Sequence, residues 1–511
     1  MSATPRSAAK PGVPPLLIAG IVSFGTLFET MNSTGLAVAL NTISGNLASS
    51  PESSDTILTG YLVAQAAILP LSGWASLYFG RKPFYICCVA AFTIASALCA
   101  MAWSIESLIF FRILQGMAAA GNAASESSII ADTLPAEQRG LGFALYGMAV
   151  VLGPAIGPVY GGWVAENASW HWIFWLNVPT GIAAVTGCIL LLNDPPAVRN
   201  ATRKRRAKGL RLDWFGFLLG AVGLASISYV LDRGQTNDWF ATSSILWATV
   251  IGITCLLLWP IWEMLARDPV VKFRLFKNRN PAIAVVLIFV TGATLFGTPA
   301  IVPLLLQQQL GYNSTTAGLV LGLGALPVLF LLPVTGFLTG KVATRHLVGV
   351  GFVSVGIGMY LSSHIYPDLS FSQIVCFSIA QQLGVGLIYT PLQSQSYIGV
   401  PGKLREQAGT FMAIAVNMGG SVGTALAVTM LERGQQSYRE QLVPYASPWR
   451  DEYQQALRQY GSAESFSQAI DTQAAVLSFQ GVFFIIACAI AACLPLLFFL
   501  KGKPSPEDQE A

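Results

Sequence analysis

Apolar residues along this chain come in long unbroken runs. They do not follow the three-to-four spacing of a soluble amphipathic helix or the alternation of a half-buried strand. About fourteen runs reach membrane length, near 15–41, 56–78, 83–103, 107–131, 139–165, 171–193, 212–231, 243–265, 281–308, 314–339, 346–364, 371–395, 406–431 and 474–500. A helix needs about 20 mainly apolar residues to cross a bilayer, so the pattern predicts an all-α polytopic membrane protein. Most polar segments between the runs are short. The exception is about 432–473, where Tyr453, Leu457 and Tyr460 recur at helical spacing. That spacing predicts a short amphipathic helix, in either a solvated hairpin or a docking surface.

Composition sharpens the picture. Hydrophobic residues make up 53% of the chain and charged residues 11%, where a soluble protein carries about 25% charged. All eight cysteines fall in apolar runs without a CxxC pair, so they are expected to be packing residues, neither disulfides nor metal ligands. The first run lacks a small-residue cleavage site and is read as an uncleaved span. The three histidines are far apart, and no Ser-His-Asp, HExxH or P-loop pattern appears. No enzyme activity, cofactor or metal is expected.

Charge sets the orientation, because basic residues favour the cytoplasmic side. With the N-terminus inside, the inside segments hold Arg81, Lys82, the run at 199–211, the basic residues of 266–280, Lys341 and Arg345; the outside segments hold few. Both termini are therefore expected in the cytoplasm. The run at 199–211 is read as a topology anchor touching anionic lipid, with no nucleic-acid role. Basic loops bracket spans 7 and 8, giving a six-plus-two-plus-six plan. Residues 1–193 would form an N-terminal six-helix bundle. Residues 194–280 would hold basic loops and two linker helices. Residues 281–511 would form the C-terminal bundle.

Span 5 contains GMAVVLGPAIGPVYGG (147–162). Gly153, Gly157 and Gly161 recur every four residues, followed by Gly162, and form a smooth stripe that admits a second helix closely. Pro154 and Pro158 bend the same segment. The arrangement predicts a hinge between two halves of a transporter; the plainer reading is ordinary small-residue packing.

The order G-P-x-x-G-P-x-x-G-G is similar to the antiporter motif of major facilitator exporters. Four further segments carry the same likeness: LIFFRILQG (108–116), WHWIFWLNVPTG (170–181), GVGLIYTPL (384–392) and AGTFMAIAVNMGGSVGTAL (408–426). The chain thus resembles the fourteen-span drug:proton antiporter branch of the major facilitator superfamily, the EmrB/QacA-like proteins. That resemblance implies a major facilitator fold of two six-helix bundles plus two inserted linker helices. It also implies proton-driven efflux of amphipathic small molecules across the inner membrane by alternating access. The ending DTQAAVLSFQGVFF (471–484) points to the Gram-negative EmrB side, which implies a periplasmic adaptor protein and an outer-membrane channel as partners. Two other readings stand beside it: a dedicated exporter of a siderophore, fatty acid or secondary metabolite, and a non-transporting receptor or assembly scaffold.

Departures from the branch pattern locate the candidate chemistry. The cytoplasmic gate loop GWASLYFGRK (73–82) keeps Gly73, Gly80, Arg81 and Lys82 but has Leu77 where the superfamily has Asp. In span 1, Asn32 replaces the branch's acid. Two unexpected acids appear instead, Glu29 one turn before Asn32 and Glu126 in span 4, on roughly the face of Arg112. An acid inside the bilayer is expensive unless it faces a polar cavity. Glu29, Glu126, Asn32 and Arg112 are therefore the proton-coupling candidates. In the alternative reading the acids are neutral interhelical glue, bonded to Asn32, Asn122 or Ser125. Gln307, Gln308, Gln381, Tyr389 and Gln393 are the substrate-cavity candidates. An acid in the first half would favour cations or neutral molecules over anions.

Overall fold

The structure is a computed structural model that describes residues 14–135, 138–194, 196–207, 212–366, 369–398, 400, 404–446 and 462–500. Its helices are α1 (Pro15–Asn46), α2 (Pro51–Phe79), α3 (Arg81–Ala100), α4 (Ile105–Thr133), α5 (Arg139–Asn167), α6 (His171–Trp175), α7 (Asn177–Leu191), α8 (Pro196–Ala207), α9 (Trp214–Arg233), α10 (Ser243–Leu265), α11 (Arg279–Leu304), α12 (Ser314–Leu338), α13 (Thr344–Ser362), α14 (Phe371–Gln395), α15 (Arg405–Leu442) and α16 (Ala463–Cys493). The helix starts follow local chemistry. Pro15 opens α1 at a position where a missing N–H costs nothing. Ser50, Asn313 and Ser462 each cap a free backbone N–H at the first turns of α2, α12 and α16. Ser104 and Ser107 cap α4 reciprocally.

Twelve helices among the described residues are long and apolar enough to cross a membrane. α4 and α13 complete the alternation at 29 and 19 residues. In α4 the apolar character is diluted by buried Arg112, Gln115, Asn122, Ser125 and Glu126. The sixth expected span is two pieces, α6 and α7, meeting at Leu176. The last two spans outrun their expected limits. α15 continues to Leu442 and α16 begins at Ala463, with Arg439 Nε 2.6 Å from Asp471 Oδ1 across the gap. The expected loop is correspondingly shorter. Its predicted helix around Tyr453, Leu457 and Tyr460 lies outside the described residues.

α1 packs on α5, α2 on α4, and α3 on α4 and α7, which makes the first bundle. α11 packs on α15, α13 on α14 and α16, and α12 on α14, which makes the second. The bundles meet where α5 packs on α12 and α14 and where α15 packs on α4 and α2. The α9–α10 hairpin lies outside both, with α9 against α2 and also touching α15. α10 presents Trp247, Leu257, Met264 and Leu265 outward, a surface suited to hydrocarbon. The end of the molecule that gathers the basic segments is called the basic end below, and the other the far end.

Candidate functional site

A cavity of about 880 Å³ lies between the bundles. Its wall is drawn from α1, α2, α4 and α5 on one side and from α11, α14 and α15 on the other, with Leu231 and Asp232 of α9 added. Leu58 and Glu432, near the far-end turns of α2 and α15, are among its lining residues, so the cavity reaches the far end. Towards the basic end it is closed by successive layers. Tyr146 of α5 and Tyr389 of α14 face each other at 6.1 Å between ring centroids. Below them Phe143 stacks on Tyr397 at 5.5 Å, and the Tyr397 hydroxyl donates to Ser127 at 2.9 Å. Burial pushes the Tyr397 phenol up to about 12, so it stays a hydrogen-bond donor at neutral pH.

The last layer is ionic. Arg81, at the first turn of α3, pairs with Asp132 at the end of α4. Its Nε lies 3.0 Å from Glu406 Oε2 at the start of α15. Arg405 of α15 reaches back to Asp132 at 3.1 Å. Cation and anion thus cross between the bundles twice. Leu77 leaves the gate loop without its usual acid, and the carboxylates come from α4 and α15. Neither Asp132 nor Glu406 stood out in the sequence, because each sits at a span edge where charge is ordinary. Gly73 lets α2 approach α15: a Cβ there would stand 2.6 Å from Thr410 Oγ1. Gly80 turns the chain at φ +93° between α2 and α3. Lys82 donates through its amide to Asp194 at 2.9 Å and through Nζ to the Ile189 carbonyl at 2.9 Å. Burial raises the Asp194 carboxyl, against the pull of the Lys82 amide and Arg81. From α8, Arg206 donates to the Tyr78 and Phe79 carbonyls, both at 2.9 Å, and so caps the end of α2.

Glu29 and Glu126 both line the cavity. Two rungs join α1 to α4 there. The Thr26 hydroxyl donates to Glu126 Oε2 at 2.7 Å, and Asn122 Nδ2 donates to Glu29 Oε2 at 3.3 Å. Tyr85 adds a bond to Glu126 at 3.3 Å, and Tyr61 one to Glu29 at 3.5 Å. Of the three glue partners expected, Asn122 is the one that binds an acid. Asn32 and Arg112 are buried and do not line the cavity. Arg112 Nη1 donates to Asn32 Oδ1 at 3.1 Å and to Gln115 Oε1 at 2.7 Å, while Asn32 Nδ2 donates to the Ile173 carbonyl at 2.9 Å. The Arg112 guanidinium sits 4.5 Å over the Tyr61 ring, and the hydroxyl of that tyrosine is the one bound to Glu29. Tyr61 thus stands between the buried cation and the displaced acid. Sequence reading passed over Tyr61, Tyr85 and Thr26, since such residues are common in spans.

The glycine stripe of α5 faces α1, in the same bundle. A Cβ at Gly153 would strike Thr30, at Gly157 Thr34, and at Gly161 the Gly35 backbone; one at Gly162 would make ordinary contact, 3.5 Å from Val38. Thr30 and Thr34 donate to the α5 carbonyls of Ala149 and Gly153 at 3.3 and 3.4 Å. The stripe is therefore a tight seam within one bundle, which departs from its expected place between the halves. α5 meets the other bundle elsewhere, for instance where a Cβ on Gly140 would strike the Gly336 carbonyl of α12. Pro154 and Pro158 line the cavity.

Of the substrate-cavity candidates, Gln307, Tyr389 and Gln393 line the cavity, whereas Gln308 and Gln381 do not. Gln307 sits on a π-helical turn, Leu305–Gln309, that follows Pro299 and Pro303. Consecutive residues on any helical turn point in different directions, and Gln307 faces the cavity where Gln308 does not. Gln381 is buried where α14 meets α13, its backbone against Gly358. Gln393 Nε2 donates to the Tyr389 hydroxyl at 3.1 Å.

Comparison with known proteins gives one consistent result. The family model described as Major Facilitator Superfamily matches residues 22–427. The chain is 29% identical over 490 residues to "Multidrug export protein EmrB" of Escherichia coli (strain K12), covering 94% of each. It is 30% identical over 492 residues to "Probable multidrug resistance protein EmrY" of the same organism, again covering 94% of each. It is 31% identical over 431 residues to "Fatty acid resistance protein FarB" of Neisseria gonorrhoeae, covering 84% of this chain and 83% of that one. Among solved structures, the proton:xylose symporter XylE superposes with a TM-score of 0.59 at 14% identity, over 97% of this chain and 98% of that one.

Proposed function

The chain belongs to the major facilitator superfamily, and from that premise we propose that it exports amphipathic small molecules, in exchange for protons, by alternating access. The observation that carries this reading is the cavity between the bundles, lined by two buried carboxylates and closed at the basic end by ion pairs that cross from one bundle to the other. Opening at one end and closure at the other is one half of an alternating cycle. Glu29 and Glu126 take up protons from the far side, and their neutralisation favours release of cargo. Arg112 and Asn32 hold Tyr61 and α1 in position for Glu29. Gln307, Tyr389 and Gln393 offer polar contacts on an otherwise apolar wall.

In this reading the basic end is cytoplasmic, both termini lie there, and the membrane is a cell inner membrane. The positive-inside distribution of charge supports the orientation. The reading divides the chain into 1–193, 194–280 and 281–511, and the packing of α1 on α5 and of α11 on α15 supports it. The helical extensions of α15 and α16 beyond the bilayer are where a periplasmic adaptor, and through it an outer-membrane channel, would dock.

The test uses the purified full chain in proteoliposomes with an imposed pH gradient and Nile red as cargo. Accumulation of the dye against its gradient, abolished by nigericin, is expected. Dye movement that ignores the pH gradient would remove proton exchange from the reading, and no movement at all would remove export.

A further inference from the structure

Helix α9 belongs to the inserted linker pair, yet it forms part of the cavity wall. Leu231 and Asp232 of its last turn line it, as do Gln235 and Thr236 of the turn that follows. Asp232, on the last turn, faces the cavity, and the turn beyond Gly234 continues the same wall. Arg233 is turned about 100° away. Its Nε donates to Thr59 Oγ1 at 3.1 Å and its Nη2 to Thr56 Oγ1 at 2.5 Å, both on α2. Asp232 accepts the Thr59 hydroxyl through Oδ2 and faces the open cavity. Across the cavity mouth, Gln235 Nε2 donates to Glu432 Oε2 of α15 at 2.6 Å.

The chemistry of the whole cavity is one-sided. Glu29, Glu126, Asp232 and Glu432 line it, and no Lys, Arg or His is among the described lining residues. Two neutral lining residues also carry a buried side-chain oxygen without a hydrogen-bond donor. Gln393, 2% exposed, donates once through Nε2 to the Tyr389 hydroxyl and leaves its Oε1 unpartnered. Asn417 donates to Gln65 at 2.8 Å and leaves its Oδ1 unpartnered. A buried acceptor without a donor costs free energy, so a small rotation of either amide towards the cavity would be favoured by an N–H donor there. Acid charge in a low-dielectric cleft concentrates cations there.

We propose that linker helix α9 is a working wall of the substrate cavity and that its Asp232 is a specificity-determining residue, selecting amphipathic organic cations that carry N–H donors. The proposal rests on the exporter reading above and names its cargo class. Glu29 meets α2 at Tyr61, and Asp232 meets it at Thr59, nearer the far end. A cation displaced from the deep acids when they take protons therefore meets a second carboxylate on its way out. Because α9 is fastened to α2 through Arg233, this carboxylate travels with the first bundle.

The experiment compares three cargoes in proteoliposomes of the full chain: pentamidine, an amidinium dication; ethidium, an aryl-amine monocation; and Nile red, uncharged. Asp232→Asn keeps the shape and an acceptor for Thr59 but removes the charge. The ratio of pentamidine to Nile red export is expected to fall about tenfold, through a raised KM for pentamidine, the size one moderately screened charge contact commands. Ethidium should fall less, and Asp232→Glu should recover most of the ratio. An unchanged ratio in Asp232→Asn would overturn the role of α9. Nile red export without export of either cation by the unaltered protein would overturn the cargo class while leaving the exporter reading intact. Export of none of the three would overturn that reading, and this inference with it.

Discussion

Glu29 and Arg112 carry the sharpest consequence at the scale of single residues. The branch pattern places an acid at position 32, where this chain has Asn32, held by Arg112 Nη1 at 3.1 Å. Nε and Nη2 of Arg112 have no hydrogen-bond partner, so the cation faces a tyrosine ring and amides. The nearest turn of α1 brings Glu29 to the same tyrosine. If the acid has moved by one turn, Glu29→Gln should abolish accumulation driven by a pH gradient while downhill exchange continues. Adding Asn32→Asp should restore accumulation at least in part, since an acid at 32 would meet Arg112 directly. Proteoliposome flux with and without a gradient reads both. Full uphill transport by Glu29→Gln alone would leave Glu126 as the coupling acid. The acids were legible in the sequence because a carboxylate inside an apolar run is rare and costly. Their hydrogen-bond donors were not, because whether a Tyr or Thr faces lipid or a cavity depends on helix rotation, which long apolar runs do not encode.

At the scale of elements, the position of most spans could be read directly. Hydrocarbon forces each to about 20 apolar residues, and the expected runs 243–265 and 371–395 coincide with α10 and α14. The ends of α15 and α16 could not be read this way. Past the bilayer their helices are mostly polar, tied by such pairs as Arg439–Asp471, and the few apolar positions, such as Phe466, Ala469 and Ile470, make no run of membrane length. The stripe of α5 was visible, but its partner was not: a run of small residues states that a helix comes close without stating which one. The structure supplies α1. Gly157→Leu would drive a side chain into Thr34 and the Met31 carbonyl, the latter 2.8 Å from a Cβ at that position. Overpacking against side chains typically costs about 1–3 kcal/mol, and a backbone neighbour yields less easily. The variant should reach the membrane, lose most export and melt lower. Normal export and an unchanged melting temperature would mean that the α1–α5 seam is looser than these contacts.

For the whole molecule, the closed basic end defines one conformational state and a way to trap it. A Cβ on Gly73 would lie 3.7 Å from Thr410 Cβ, within the range of a disulfide. With the eight native cysteines replaced, Gly73→Cys with Thr410→Cys should cross-link under oxidation. Export should stop, cargo should still bind from the far side, and a reductant should restore transport. Undiminished export by the fully cross-linked protein would show that α2 and α15 do not part at this point during the cycle.

The ionic layer at that end is symmetrical in a way that matters when it breaks. Arg81 and Asp132 belong to the first bundle, Arg405 and Glu406 to the second. When the bundles separate, each departs with one positive and one negative group, so neither newly wetted surface is left with a net charge from the layer. No free ion has to arrive to balance the parted faces. The clasp can be undone by water alone and re-formed without sorting counter-ions, which suits a part that must open and shut once in every turnover.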